Sequence, residues 1–181
     1  MAEGLTALPL QFPVLALIRV PQLGNFIPHD TVYRYRDKDA LTTLDGGNVK
    51  RDVFADTRIV DVSGKCWRAV SITFPDANKI SLRKFLKIIL GGTRRVRYEL
   101  KEEPMSFEAI RHFVCRALEN SPYGFRHIYM GLAADDGEQL ADYDPPWDDP
   151  EVREKHTARF MDTTNIRELF AAVDAFMDAL H

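Results

Sequence analysis

Residues 135–151, DDGEQLADYDPPWDDPE, hold eight carboxylates and no Lys or Arg. Carboxylates at this density serve two kinds of chemistry. One is coordination of a hard cation. The other is docking against a basic surface, where opposite charge speeds encounter and selects the partner. Spacing disfavours the first, because no D-x-[DN]-x-[DN]-G run is present and Pro145-Pro146 stiffens the middle. For docking, Asp135, Asp136, Asp142, Asp144, Asp148 and Asp149 supply charge, with Tyr143 and Trp147 as aromatic anchors of the kind that concentrate binding energy. These eight residues are the candidate partner-binding site. The plainer alternative is a solvated face.

A second charge concentration has the opposite sign. Residues 78–101 carry Lys79, Arg83, Lys84, Lys87, Arg94, Arg95, Arg97 and Lys101 against Glu99 alone. Within it, GGTRR sets flexible backbone N–H groups beside two guanidinium groups, a combination able to cradle an anion. Arg94, Arg95 and Arg97 are the candidate anion-binding residues. The glycines also read as a helix stop, and Arg95 and Arg97 as the wet face of a strand. No Walker lysine, GxGxxG or RNA-binding aromatic signature accompanies them. With a net charge of −3 and a pI near 6.0, nucleic acid is not an expected partner.

Nucleophilic catalysis needs an activated Cys or Ser beside a base. Cys115 follows His112 by three residues, but it borders an apolar stripe, and Cys66 opens a strand beside Trp67. Both read as packed, reduced thiols, which fits a reducing compartment, although a single disulfide between them stays open. His29, His112, His127, His156 and His181 show no metal-binding spacing, and there is no G-x-S-x-G. No metal, no cofactor and no catalytic residue is therefore expected. A carboxylate pair assembled only in three dimensions remains the enzymatic alternative.

The elements that position these residues follow from periodicity. VLALIRV (14–20) reads as a buried strand and TVYRYR (31–36) as an edge strand. A short helical turn follows in 37–50. TRIVDV and CWRAVSITF flank SGK, a tight connection that predicts a hairpin over 57–74. Leu82, Phe85, Leu86, Ile89 and Leu90 have helical spacing between Ser81 and Gly91-Gly92. RRVRYELK (94–101) alternates as a strand on a half-solvated sheet, and HIYMGLA (127–133) reads as another. Ser106 caps a second helix with Ile110, Phe113, Val114, Ala117 and Leu118 inward. A third has Asn165 and Glu168 as a capping box, then Ile166, Leu169, Phe170, Val173, Phe176, Met177 and Leu180 inward.

Strands mixed with helices without a βαβ rhythm predict an α+β fold: a largely antiparallel sheet with about three amphipathic helices on one face. At 181 residues the expectation is one domain over 1–181, with a long acidic loop at about 134–152. The N-terminal apolar stretch lacks a preceding Lys or Arg and is interrupted by Pro9, Gln11 and Pro13, which argues against a signal peptide. No stretch reaches membrane-span length, so no membrane association is expected and the cytoplasm is the expected location.

Taken in order, RIVDVSGKCWRAVSITF with its D-x-x-G-x-x-W turn, SFEAIRHFVCRALENSPYGF and the closing TNIRELFAAVDAFMDAL resemble the immunity proteins of bacterial polymorphic-toxin and contact-dependent systems. The likeness is one of element order over roughly residues 57–180, and no matched motif carries binding residues across. It implies a small, non-enzymatic antitoxin that binds a secreted toxin domain and occludes its active site. Acidic surface set into a basic nuclease cleft would imitate the substrate's phosphates. An enzyme and a self-associating subunit, a homo-oligomer, are the other readings.

Overall fold

The computed structural model describes residues 9–20, 29–45, 57–73, 93–120 and 150–178. Its elements are β1 (Val14–Val20), β2 (His29–Tyr35), α1 (Lys38–Thr42), β3 (Thr43–Asp45), β4 (Arg58–Asp61), β5 (Cys66–Thr73), β6 (Thr93–Arg95), β7 (Arg97–Glu102), α2 (Phe107–Asn120), α3 (Pro150–Met161) and α4 (Ile166–Asp178). Five strands form one sheet in the order β2-β1-β4-β5-β7, and each neighbouring pair is antiparallel. β3 and β6 form a separate antiparallel pair. This is an α+β fold.

β1 sits inside the sheet because it is apolar on both faces. Leu15 and Leu17 join Val32, Val60 and Cys66 beneath the helices, where they meet Ile110, Val114 and Leu118 of α2, Phe160 of α3 and Leu169, Val173 and Phe176 of α4. Val14, Ala16 and Ile18 face the other way, into a second core with Ile59, Ala69, Leu41, Val96 and Tyr98. Each large side chain buried this fully stabilises the fold by about 1.5–3 kcal/mol before entropy is counted. The three long helices cover one face, α2 and α4 through the apolar stripes expected of them and α3 chiefly through Phe160, and α1 with Val96 contributes to the other.

Local chemistry fixes the element ends. Asp37 caps α1 by accepting from the Ala40 N–H at 2.9 Å, and Ser106 Oγ accepts from Ala109 N–H at 3.2 Å at the start of α2. At α4 the Glu168 N–H donates to Asn165 Oδ1 at 3.0 Å and Asn165 Nδ2 donates to Glu168 Oε1 at 2.8 Å. The second carboxylate oxygen reaches one residue further out than a standard capping box. It accepts the Thr164 N–H at 2.7 Å and the Thr164 hydroxyl at 2.9 Å. Those bonds, the backbone one first, hold the Glu168 carboxyl below its usual range. Gly64 turns the β4–β5 hairpin at φ +86°, where a side chain would be strained.

Two differences from the sequence expectation stand out. α3 was not anticipated, and it takes Pro150, Glu151 and Val152 from the end of the stretch read as an acidic loop. Its inward stripe is mostly polar, so it lacks the periodic apolar signal of α2 and α4. β3 was also missed, since three residues are too few for alternation to show. The helix expected around 82–90 and the strand expected at 127–133 lie outside the described residues.

Candidate functional site

Asp135, Asp136, Asp142, Tyr143, Asp144, Trp147, Asp148 and Asp149 also lie outside the described residues. What the structure does give is the attachment of the element that follows them. α3 turns Val152, Arg153, His156, Thr157 and Phe160 inward, and of these only Phe160 is fully buried. The Phe160 ring meets Phe176 of α4 edge-on at 6.1 Å, and His156 meets the same ring at 4.6 Å.

Arg111 of α2 fastens the far end of α3. Its Nη1 donates to the Met161 carbonyl at 3.0 Å and to the Thr163 carbonyl at 2.8 Å. Met161 ends α3 and Thr163 lies two residues beyond it, so the guanidinium charge also complements the negative end of the helix. Thr163 turns its hydroxyl back onto the Phe160 carbonyl at 2.6 Å. The helix after the acidic tract is thus fixed at its C-terminal half by one ring, one guanidinium and one hydroxyl.

His156 makes this attachment sensitive to acid. Burial first, then Lys155 and Arg159, lower its pKa from the ordinary 6.5. Nδ1 is buried without a hydrogen-bond partner among the described residues. Because the folded pKa lies below the unfolded one, the unfolded chain binds more protons as pH falls through about 6.5. The imidazole's contribution is therefore complete above that pH and is lost progressively below it. Urea midpoints at about pH 7.5 and 5.5 should fall further for the wild type than for His156→Gln. Equal falls would remove His156 from the acid response.

The candidate anion-binding arginines are divided between two sheets. Arg94 stands opposite Leu44 and Arg95 opposite Thr43 in the β3–β6 pair, whereas Arg97 begins β7. Between them Val96 is buried and gives its N–H to the Thr42 carbonyl at 2.8 Å. Arg95 reaches Asp39 at 3.7 Å with both side chains largely exposed, a contact of about 0–1 kcal/mol. Arg97 is exposed. The backbone thus carries the three arginines on two different strand pairs, with Arg95 and Arg97 both exposed on either side of the buried Val96.

Cys66 and Cys115 are buried and free. Burial pushes both thiols up to about 11, so neither is a thiolate at neutral pH. His112 is exposed on α2 while Cys115 faces the core, which separates the only close Cys–His pair in the sequence. Among the described residues no group of three His, Cys, Asp or Glu is placed to hold a metal ion, and no helix is long and apolar enough to cross a membrane.

Many of the charged side chains tie elements together. Asp30 of β2, mostly buried, takes Arg19 of β1 and Arg116 of α2, each at 3.2 Å. Arg34 of β2 grips Asp174 of α4 with two nitrogens, Nη2 to Oδ2 at 2.8 Å and Nε to Oδ1. Arg58 holds Glu103 through Nε at 3.1 Å and Nη2 at 2.8 Å. Asp61, fully buried, accepts the Gln11 and Ser63 N–H groups at 3.2 and 2.9 Å, the Ser63 hydroxyl at 2.6 Å and the Lys65 N–H at 3.1 Å. The sequence reading missed this carboxylate, although an Asp three residues before a turn glycine is the available signal.

The class these features define is an α+β fold in which several of the described charged side chains brace the sheet and helices. Compared with family models, curated proteins and solved structures, the chain matches none.

Proposed function

We propose that the protein is a non-catalytic binding module of the immunity type, which neutralises a partner by laying its acidic tract into a basic cleft. The observation that carries this reading is the density of eight carboxylates without a cation in residues 135–151, running directly into α3. Because α3 is fastened to α2 and α4, whatever docks on the tract is coupled to a fixed body. The tract itself supplies charge from Asp142, Asp144, Asp148 and Asp149 and an aromatic anchor from Trp147. Carboxylates in a nuclease cleft occupy the positions of substrate phosphates and so compete with nucleic acid directly. Two buried, protonated thiols and a set of internally paired charges favour binding over nucleophilic chemistry.

The test begins with capture of the tagged chain from its native lysate at low salt, with release by rising salt and identification of a stoichiometric partner. With that partner purified, replacing Asp142, Asp144, Asp148 and Asp149 by Asn should weaken binding by about 100-fold or more and flatten its dependence on salt. Unchanged affinity and salt slope would reject the tract as the docking surface. Capture that returns only the chain itself would reject the binding reading.

A further inference from the structure

β7 is one edge of the five-stranded sheet, with no strand beyond it among the described residues. The Glu103 N–H donates to the Cys66 carbonyl of β5 at 3.0 Å, while the Val96 N–H turns away to the Thr42 carbonyl. Alternation along an antiparallel strand then directs the N–H and C=O groups of Tyr98, Leu100 and Glu102 away from β5. An outward row of backbone donors and acceptors is a template for another strand.

The side chains along this edge decide which strand fits. Arg97, Glu99 and Lys101 are all exposed on one face, and Tyr98 and Leu100 lie on the other, buried and half-buried. In a two-fold antiparallel pairing of β7 with itself, registers centred on Tyr98, Glu99, Leu100 or Lys101 bring outward backbone groups together, and the one centred on Lys101 sets Lys101 against Lys101 and Glu99 against Glu103. Centred on Glu99, it sets Glu99 against Glu99 and Arg97 against Lys101 twice, which is repulsive throughout. Centred on Tyr98, it needs the Val96 N–H that Thr42 already holds. Centred on Leu100, it sets Glu99 against Lys101 twice, with Leu100 beside Leu100 on the other face. Directly opposed unlike charges favour a strand pair and like charges oppose it.

We propose that β7 is a self-pairing edge: two copies of the chain join their sheets antiparallel about Leu100, in the register fixed by the two Glu99–Lys101 pairs. This goes beyond the binding reading above and does not depend on it. Three outward-facing residues per copy make a small interface, so the association is weak and concentration-dependent.

The experiment is sedimentation of the purified full chain up to about 1 mM, the scale of weak association, with folding of each variant checked by circular dichroism. The wild type should approach twice its monomer mass and dissociate as salt rises. Lys101→Glu alone and Glu99→Lys alone should each weaken the dimer by about tenfold or more, since each substitution acts at two pairs. The double variant Glu99→Lys/Lys101→Glu should restore it. Replacing Asp142, Asp144, Asp148 and Asp149 by Asn should leave it unchanged. A monomer at every concentration would overturn the proposal and make the charges of β7 a guard on the edge. So would a dimer indifferent to both charge reversals, or one abolished by the Asp→Asn set.

Discussion

Asp61→Ala should lower the free energy of unfolding by about 4 kcal/mol, read as a fall in the urea midpoint at an unchanged slope. The carboxylate is fully buried and serves four donors from three residues. Ser63 and Lys65 belong to the β4–β5 turn, and Gln11 belongs to the segment leading into β1. Removing the acceptor leaves partly buried N–H groups unsatisfied in two places at once, which costs more than the net worth of the bonds. Asp61→Asn separates the two sites. An amide keeps Oδ1 for Ser63 and Lys65 but turns an NH2 toward the Gln11 N–H, so its cost should be about 1–2 kcal/mol. Equal costs for Ala and Asn would mean that the turn contributes little and that the Gln11 contact dominates. A cost below about 1 kcal/mol for Ala would remove Asp61 from the framework.

Phe160→Ala should cost about 4 kcal/mol, the usual range for deleting a fully enclosed ring. Its wider effect should fall on α3. The rest of the inward stripe is Val152, Arg153, His156 and Thr157, none of them fully buried. Without the ring, Arg111 and the Thr163 hydroxyl hold only the last turn. Amide hydrogen exchange should therefore accelerate across 151–161 more than across α2 or α4. Protection of α3 equal to that of α2 in the variant, with stability changed by less than about 1 kcal/mol, would contradict this account. Partner affinity in the same variant reports whether the acidic tract needs a fixed α3 behind it.

How far the fold was legible depended on how regularly each segment repeats. β1 announced itself as a short run apolar on both faces and β2 by its β-branched and aromatic residues, while the β4–β5 hairpin, β7, α2 and α4 did so through turn chemistry or a buried face that recurs every two residues or every turn. The Asn165–Glu168 cap was legible as well, since its chemistry is local to four residues. α3 was not. Its contacts are an imidazole, a guanidinium and one phenyl ring, and polar groups at the right spacing look like solvent-facing ones. Pro150 at the first helical position, Glu151 in the first turn and Arg159 in the last were the available signals. Arg94, Arg95 and Arg97 were read as one group because they are close in sequence. Their separation onto two sheets follows from the buried Val96, whose backbone joins Thr42 instead of β5. The acidic tract was the strongest charge signal in the chain, and residues 135–149 lie outside the described part of the fold.

The clasp between Arg34 and Asp174 joins positions 140 residues apart. Every strand pairing around β1 is complete once residue 61 has been made. α4, which packs in one core with Leu15, Leu17 and Val32, is the last of the described elements. At about 5–20 residues per second, a ribosome needs roughly 7–28 s to travel from Arg34 to Asp174. For the part of that interval after residue 61, the β2-β1-β4 part of the nascent sheet presents its helix-side face without the cover of α4. Aggregation during synthesis, and the help of chaperones against it, are thus set by the order of the genetic message as much as by the finished fold.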